Sequence, residues 1–299
     1  MAKQQKPIRP GGLVVVDKPG GMTSHDVVSR MRRLAGTRRV GHAGTLDPMA
    51  TGVLVIGVER ATRLLGYVTA TQKAYDATVR LGESTITDDA EGETVQTADA
   101  GGISLAAVKT AIDALTGDIE QVPSAVSAIK INGQRSYARV RAGEQVELAA
   151  RPVTIFSFEV NEFRQIDRWL DLAVSVRCTS GTYIRALARD LGVALGVGGH
   201  LTALRRTAVG SFTVDQAVPL ADLQASGEDP VSIPLSAAAA ATFVRRDVDE
   251  EEAGRLVHGG TLVPSESATS PVAVFGPDGS FLALVENREG RARPIAVFT

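Results

Sequence analysis

Asp47 is the residue of this chain best placed to do chemistry. It lies in the run GHAGTLDPMATG, Gly41 to Gly52, among glycines, a histidine and a proline, just before the apolar segment Val53 to Val58. Pro48 fixes its own φ and turns Asp47 away from the α region. Gly41, Gly44 and Gly52 let the backbone turn tightly and approach a partner closely. Loops of this kind aim one side chain outward from a rigid strand. A carboxylate so presented can act as a nucleophile or stabilise an oxocarbenium-like centre. It can also simply close a turn or cap a helix.

Arg185 is a second candidate. It falls in the first turn of the helix predicted after Ser180-Gly181, where a cation opposes the macrodipole and needs an anionic partner. The competing reading is an exposed arginine paired with Asp190 or solvent. Tyr75 opens one face of a strand, Lys73, Tyr75, Ala77, Val79 and Leu81, by the period of two. Its ring could stack on a base and its hydroxyl could move a proton, or it could be a core tyrosine bonded to backbone. His25, His42, His200 and His258 have no metal-ligand spacing. The single cysteine, Cys178, excludes an intrachain disulfide and a Cys-cluster metal site, and reads as core. No metal and no cofactor are expected. Neither GHAG nor KPGG has the form of a nucleotide-binding fingerprint.

Residues 1–12 read as a polar, flexible arm. Leu13 to Val16 reads as a short strand ended by the KPGG turn, Lys18 to Gly21. Thr23 to Asp26 has the form of a capping box, followed by Val27, Val28, Met31 and Leu34 on one helical face. Val53 to Val58 is a predicted buried strand and Glu59 to Leu65 a short helix. Asp88 to Thr97 is an acidic hairpin or loop, and Leu105 to Leu115 a helix with Leu105, Val108, Ile112 and Leu115 near one face. Gln121 to Arg151 is polar, basic and long for a compact connection, which suggests a mobile or binding insertion. Val153 to Phe163 and Trp169 to Thr179 are strands, and His200 to Thr207 a basic segment. The alanine-rich Ser236 to Ala241 marks a boundary. Beyond it come an acidic helix and a hairpin through Pro277-Asp278-Gly279. Mixed, non-alternating elements favour an α+β fold with an antiparallel sheet.

The formal net charge of −2 conceals a strong segregation. Residues 1–80 carry +8, 81–127 carry −8, 128–210 carry +5 and 211–299 carry −7. The motif-bearing segments are the basic ones, which suggests a one-sided surface for a polyanion, unless the blocks are merely solvated faces. No apolar run reaches the roughly 18 residues that span a bilayer, and the N-terminus lacks an apolar signal core. A cytoplasmic protein without membrane contact is expected.

Four runs in one order carry a resemblance: LVVVDKPGGMTSHDVVSRMRR from Leu13, the Asp47 loop, KAYDATVRLG from Lys73 and SGTYIRALARDLG from Ser180. Together they closely resemble the tRNA pseudouridine-55 synthases of the TruB family, bacterial type, over about Leu13 to Arg206, with a weaker match at the C-terminus. The resemblance implies a catalytic domain over 13–235 with an insertion, or thumb, at about 121–151. It implies a mixed, largely antiparallel sheet with a central RNA-binding cleft and flanking helices, then a small β-rich PUA-like domain over 236–299.

It also implies roles. Asp47 is the catalytic aspartate, Arg185 its charge partner, Tyr75 the ring against the target uracil, Tyr183 a second tyrosine in the pocket wall and Leu204 a leucine lining it. Tyr183 and Leu204 are named on the resemblance alone, and a plain core leucine remains open at Leu204. His42 matches a histidine that stacks on RNA. Lys18, Lys73, Lys130, Arg135, Arg139 and Arg141 are candidate phosphate contacts, or merely solvated. The implied activity isomerises a uridine of the tRNA T-loop to pseudouridine after base flipping. It acts as a monomer on the T-stem-loop with no protein partner required. Whether Asp47 attacks C1′, attacks C6 or serves as a base toward a glycal stays open. The alternative is a non-catalytic RNA-binding or tRNA-folding protein on the same scaffold.

Overall fold

A computed structural model describes residues 11–124, 148–267 and 269–298, and the backbone alone at 130–131 and 134–135. The fold is α+β, with a largely antiparallel mixed sheet and, among the described residues, seven α-helices. The chain divides into two compact units. One comprises Met1–Asp47, Val53–Thr69 and Gly210–Thr299; the other comprises Pro48–Gly52 and Ala70–Val209.

In the first unit, the strand Gly12–Lys18 neighbours Thr51–Val58 in the sheet. It also pairs parallel with Val218–Pro219 and antiparallel with Ile233–Pro234. Leu13, Val14, Val15 and Val16 are all fully buried, so the strand is apolar on both faces and shows no alternation. The strand takes in Gly12, one residue into the predicted arm. The helix Ser24–Leu34 follows, and the predicted capping box is present. Thr23 Oγ1 accepts from the Asp26 N–H at 3.1 Å, and Asp26 Oδ2 accepts from the Thr23 N–H at 2.9 Å. Its buried stripe is Ser24, Val27, Val28 and Met31. A 3₁₀ turn, Glu59–Leu64, runs into a short helix, Leu65–Ala70. Arg60 and Arg63 of that turn donate to the carbonyls of Phe298 and Val297, and Arg63 lies 4.6 Å over the Phe298 ring.

The alanine-rich run forms the helix Leu235–Thr242, because uninterrupted alanine is the strongest helix former. A separate four-stranded sheet follows it, ordered Val244–Asp247, Val272–Phe275, Phe281–Arg288 and Arg291–Val297. The predicted hairpin is its centre. The two outer strands escaped the sequence reading because arginines interrupt their apolar pattern. Val248, Leu256, Leu262, Val274, Leu282 and Val285 form the core of this part.

In the second unit the sheet runs Gly199–Val209, Lys73–Leu81, Trp169–Cys178, Arg151–Ile166 and Gly117–Gln121, antiparallel throughout. Thr51 and Gly52 pair parallel with Arg205 and Arg206 at its other edge. The predicted basic segment His200 to Thr207 is therefore a strand. Leu201 and Leu204 are buried, and so are His200 and Arg206. Leu170, Leu172, Val174, Val176 and Cys178 share the buried face of their strand as the period of two requires. Leu105 departs from its predicted face: it is 40 % exposed at the first residue of the helix Leu105–Ala114. In the insertion, Lys130–Ile131 and Gln134–Arg135 form a two-stranded antiparallel ladder.

Candidate active site

The strands Val40–Ala43 and Thr51–Val58 form an antiparallel hairpin, with Ala43 opposite Val55 and Val40 opposite Val58. Asp47 sits in the loop between them. Leu46 and Ala50 bury their side chains on either side of it, while Asp47 stays half-buried. The loop is therefore anchored at two apolar points, with the carboxylate between them. Ser24 Oγ accepts from the Leu46 N–H at 2.9 Å and donates to the Leu46 carbonyl at 3.2 Å. His42 meets His25 edge-on, ring centroids 5.5 Å apart. Gly52 closes the loop at φ +95°, where a Cβ would come 2.2 Å from the Arg206 carbonyl oxygen. That close approach, within the second unit, is why glycine stands there.

Tyr75 belongs to the second unit and is 8 % exposed on the inward face of its strand. Its cross-strand neighbours are Val176 and Arg206. Arg206 is almost wholly buried and hydrogen-bonds the Tyr75 hydroxyl; burial pushes its pKa down. Lys73, on the same face, donates to the Thr71 carbonyl at 2.5 Å. Burial first, and then the Arg206 charge, lowers its pKa to about 8. Cys178 lies beside it in the register, its thiol pushed up to about 11 by burial. Leu204, opposite Ala77, is buried.

Arg185 is the second residue of the helix Ile184–Ala194 and is 5 % exposed. Within its unit it forms an ion pair with Asp89 at 3.5 Å and donates to the Thr87 carbonyl at 2.8 Å. The arginine that pairs with Asp190 is the half-buried one a turn later. Arg189 bonds Asp190 at 2.9 Å, Asp88 at 3.3 Å and the Val122 carbonyl at 2.7 Å. Burial raises the Asp88 pKa, opposed by the arginine charges. In the sequence Asp88 and Asp89 stand out only as part of an acidic loop. Their signal was present: two adjacent acids match two arginines at i and i+4, which share one helix face. Tyr183 is the N-cap of this helix, and Gln121 holds its backbone N–H and carbonyl.

The candidate phosphate contacts divide. Lys18 is fully buried, and its ammonium donates to the carbonyls of Pro19 and Met22 at 2.9 and 2.7 Å. Lys73 is buried as described. Neither has the exposure that a surface phosphate contact requires, because each ammonium folds back onto carbonyls of its own turn. Lys130 and Arg135 are placed by backbone alone, and Arg139 and Arg141 lie outside the described residues. Among the described residues no three His, Cys, Asp or Glu side chains group to hold a metal ion. No helix among them is long and apolar enough to cross a membrane.

Comparison with known proteins follows the same residues. The family model "TruB family pseudouridylate synthase (N terminal domain)" matches residues 32–184. Models described as the tRNA pseudouridylate synthase B C-terminal domain and the tRNA pseudouridine synthase II C-terminus match 185–230 and 243–299. The tRNA pseudouridine synthase B of Streptomyces griseus subsp. griseus is 58 % identical over 294 residues, 97 % of each chain. That of Thermobifida fusca is 58 % identical over 291 residues, 96 % of this chain and 98 % of its own. Among solved structures, a chain of a Cbf5-Nop10-Gar1 complex shares the fold at a TM-score of 0.73 and 24 % identity, covering 96 % of this chain and 85 % of that one. The chain belongs to the TruB family of pseudouridylate synthases.

Proposed function

We propose that this protein converts a uridine in the T-loop of tRNA, position 55, to pseudouridine. The observation that carries the reading is its 58 % identity, over nearly its whole length, to proteins named tRNA pseudouridine synthase B. The chemistry of the Asp47 loop supports it. The reaction breaks the C1′–N1 bond of a uridine and rejoins ribose and base through C5, the C5 proton being lost as N1 regains one. A single carboxylate suffices because uracil is a stabilised leaving group, unlike the sugar alcohols that glycosidases expel with a second acid. Asp47 is that carboxylate. Tyr75 supplies a ring for the extruded base, a contact worth roughly 1–3 kcal/mol. Tyr183, Arg185 and Leu204 are the supporting residues.

The target base is stacked inside a folded loop, so it must be flipped out before its glycosidic bond can be reached. Recognition then rests on the shape of the T-loop and its splayed bases. His42 is the contact to those bases, and the insertion from Gln121 to Arg151 closes over the RNA. The protein works in the cytoplasm on tRNA, as a monomer, without cofactor.

The deciding experiment uses unmodified tRNA transcript, mapping pseudouridine by position with wild type and Asp47→Asn. Modification in the T-loop by wild type and none by Asp47→Asn is the expected result. Retained activity in Asp47→Asn would remove Asp47 from the reaction. Release of free uracil would point to a hydrolase, and tRNA binding without any modification to an RNA-folding protein.

A further inference from the structure

We infer that Ser24 is a positioning residue for Asp47: its hydroxyl grips the peptide just before the aspartate and sets the direction of the carboxylate. The inference rests on the reading of Asp47 as the reacting group. Ser24 is the first residue of the helix Ser24–Leu34 and is 1 % exposed. Its Oγ accepts from the Leu46 N–H at 2.9 Å and donates to the Leu46 carbonyl at 3.2 Å. A hydroxyl is both donor and acceptor, so one atom can satisfy both polar groups of a residue. Leu46 is itself 4 % exposed, and its side chain occupies the core.

Buried backbone groups are paired almost without exception, normally by a helix or strand ladder. In the Asp47 loop a side chain does this at Leu46. Three consecutive residues carry the device. Thr23 fixes the helix start through the capping box, which places Ser24. Ser24 holds Leu46, on the approach to Asp47. His25 meets His42 at 5.5 Å, in the strand that leads into the loop. With the Leu46 side chain, N–H and carbonyl all held, the residue cannot rotate, and Asp47 leaves it in one direction. The helix start is in this way a template for the loop, and the serine is its point of contact.

The test compares Ser24→Ala with wild type by single-turnover pseudouridine formation on tRNA transcript, by tRNA binding and by the exchange rate of the Leu46 amide proton. Ser24→Ala should exchange the Leu46 amide faster and bind tRNA as wild type does. Its chemical step should slow by up to ~10²-fold, the scale of a roughly 1 Å misplacement of a reacting group. Val28→Ala, a core deletion one turn further along the same helix, controls for stability and should leave the rate unchanged. If the alanine variant does not fold, Ser24→Cys takes its place. A thiol donates and accepts only weakly, so its rate should fall between the two.

A wild-type rate in the folded Ser24 variant would overturn the inference, as would a loss no greater than that of Val28→Ala at equal stability. Asp47→Asn separates the two readings. If it is inactive while the Ser24 variant is fully active, only the positioning role fails. If it is active, the assignment of Asp47 fails first.

Discussion

Gln121 holds the Tyr183 peptide from both sides, its Oε1 accepting from the Tyr183 N–H at 2.8 Å and its Nε2 donating to the Tyr183 carbonyl at 3.1 Å. Gln121 is buried and ends the strand Gly117–Gln121, at the entrance to the insertion. It thereby secures the start of the helix that carries Arg185. Replacing it with leucine keeps the bulk and strands the Tyr183 N–H, a loss worth about 1–3 kcal/mol, while the Tyr183 carbonyl still accepts from the Leu187 N–H at 3.2 Å. Gln121→Leu should lower unfolding stability in urea by that order. Gln121→Glu keeps an acceptor for the N–H but buries a carboxylate facing the Tyr183 carbonyl, so it should cost at least as much. Equal stability of all three proteins would show that water replaces the carboxamide.

Asp89 should matter more than its place in an acidic loop suggests. It pairs with Arg185, and both side chains are buried. Removing one member of a buried pair costs ~3–5 kcal/mol, because a charge is left in low dielectric. Asp89→Ala should approach this range in chemical denaturation, moderated by the Thr87 carbonyl that Arg185 also bonds. Asp89→Asn keeps an acceptor and should cost less. An Asp89→Ala protein as stable as wild type would mean that Arg185 is neutralised elsewhere.

Lys73 makes a pH-dependent prediction. Its folded pKa, about 8, lies below its ordinary 10.5. Between those values the unfolded chain binds a proton that the folded chain does not, so this residue makes stability rise with pH. Below about pH 8 both states are charged, and the full burden of burying the ammonium is present. Lys73→Met should therefore stabilise the protein near neutrality, by no more than about 3 kcal/mol. The gain should shrink toward pH 10. The check is urea unfolding of both proteins across that range, with the difference between them as the readout. A difference that does not change with pH would refute the shift.

Gly52 allows no side chain. At φ +95° with the Arg206 carbonyl oxygen 2.2 Å from any Cβ, Gly52→Ala faces backbone strain and a collision together. The strain alone is worth about 1–3 kcal/mol. The variant should lose more than that in thermal unfolding, while Gly21→Ala, in open space at φ +76°, should show the strain without the collision.

The features legible in the sequence were the local ones. The capping box at Thr23 and Asp26, the alternation from Lys73 to Leu81 and the glycine-flanked Asp47 each declare themselves within a few residues. What escaped depends on partners distant in the chain. Arg185 showed that it needed an anion, but nothing local named Asp89. Lys18 looked like a surface lysine because its type is usually exposed; that its ammonium would turn back to Pro19 and Met22 depends on packing above it. Ser24 was visible only as the residue after a cap. Its tie to Leu46 appears when helix and hairpin come together.

The first unit is also discontinuous in the chain, and that bears on its synthesis. The strand Gly12–Lys18 takes partners from Val218–Pro219 and Ile233–Pro234, all beyond Ala70–Val209. On a ribosome the second unit is complete while these partners are still unmade, and domains generally fold as units when their residues emerge. For that interval Leu13 to Val16, apolar on both faces, is an unpaired strand edge of the kind that recruits other chains. The nascent protein is thus most vulnerable at residues 13–16, and crosslinking of stalled chains should find chaperones there until residue 234 has emerged.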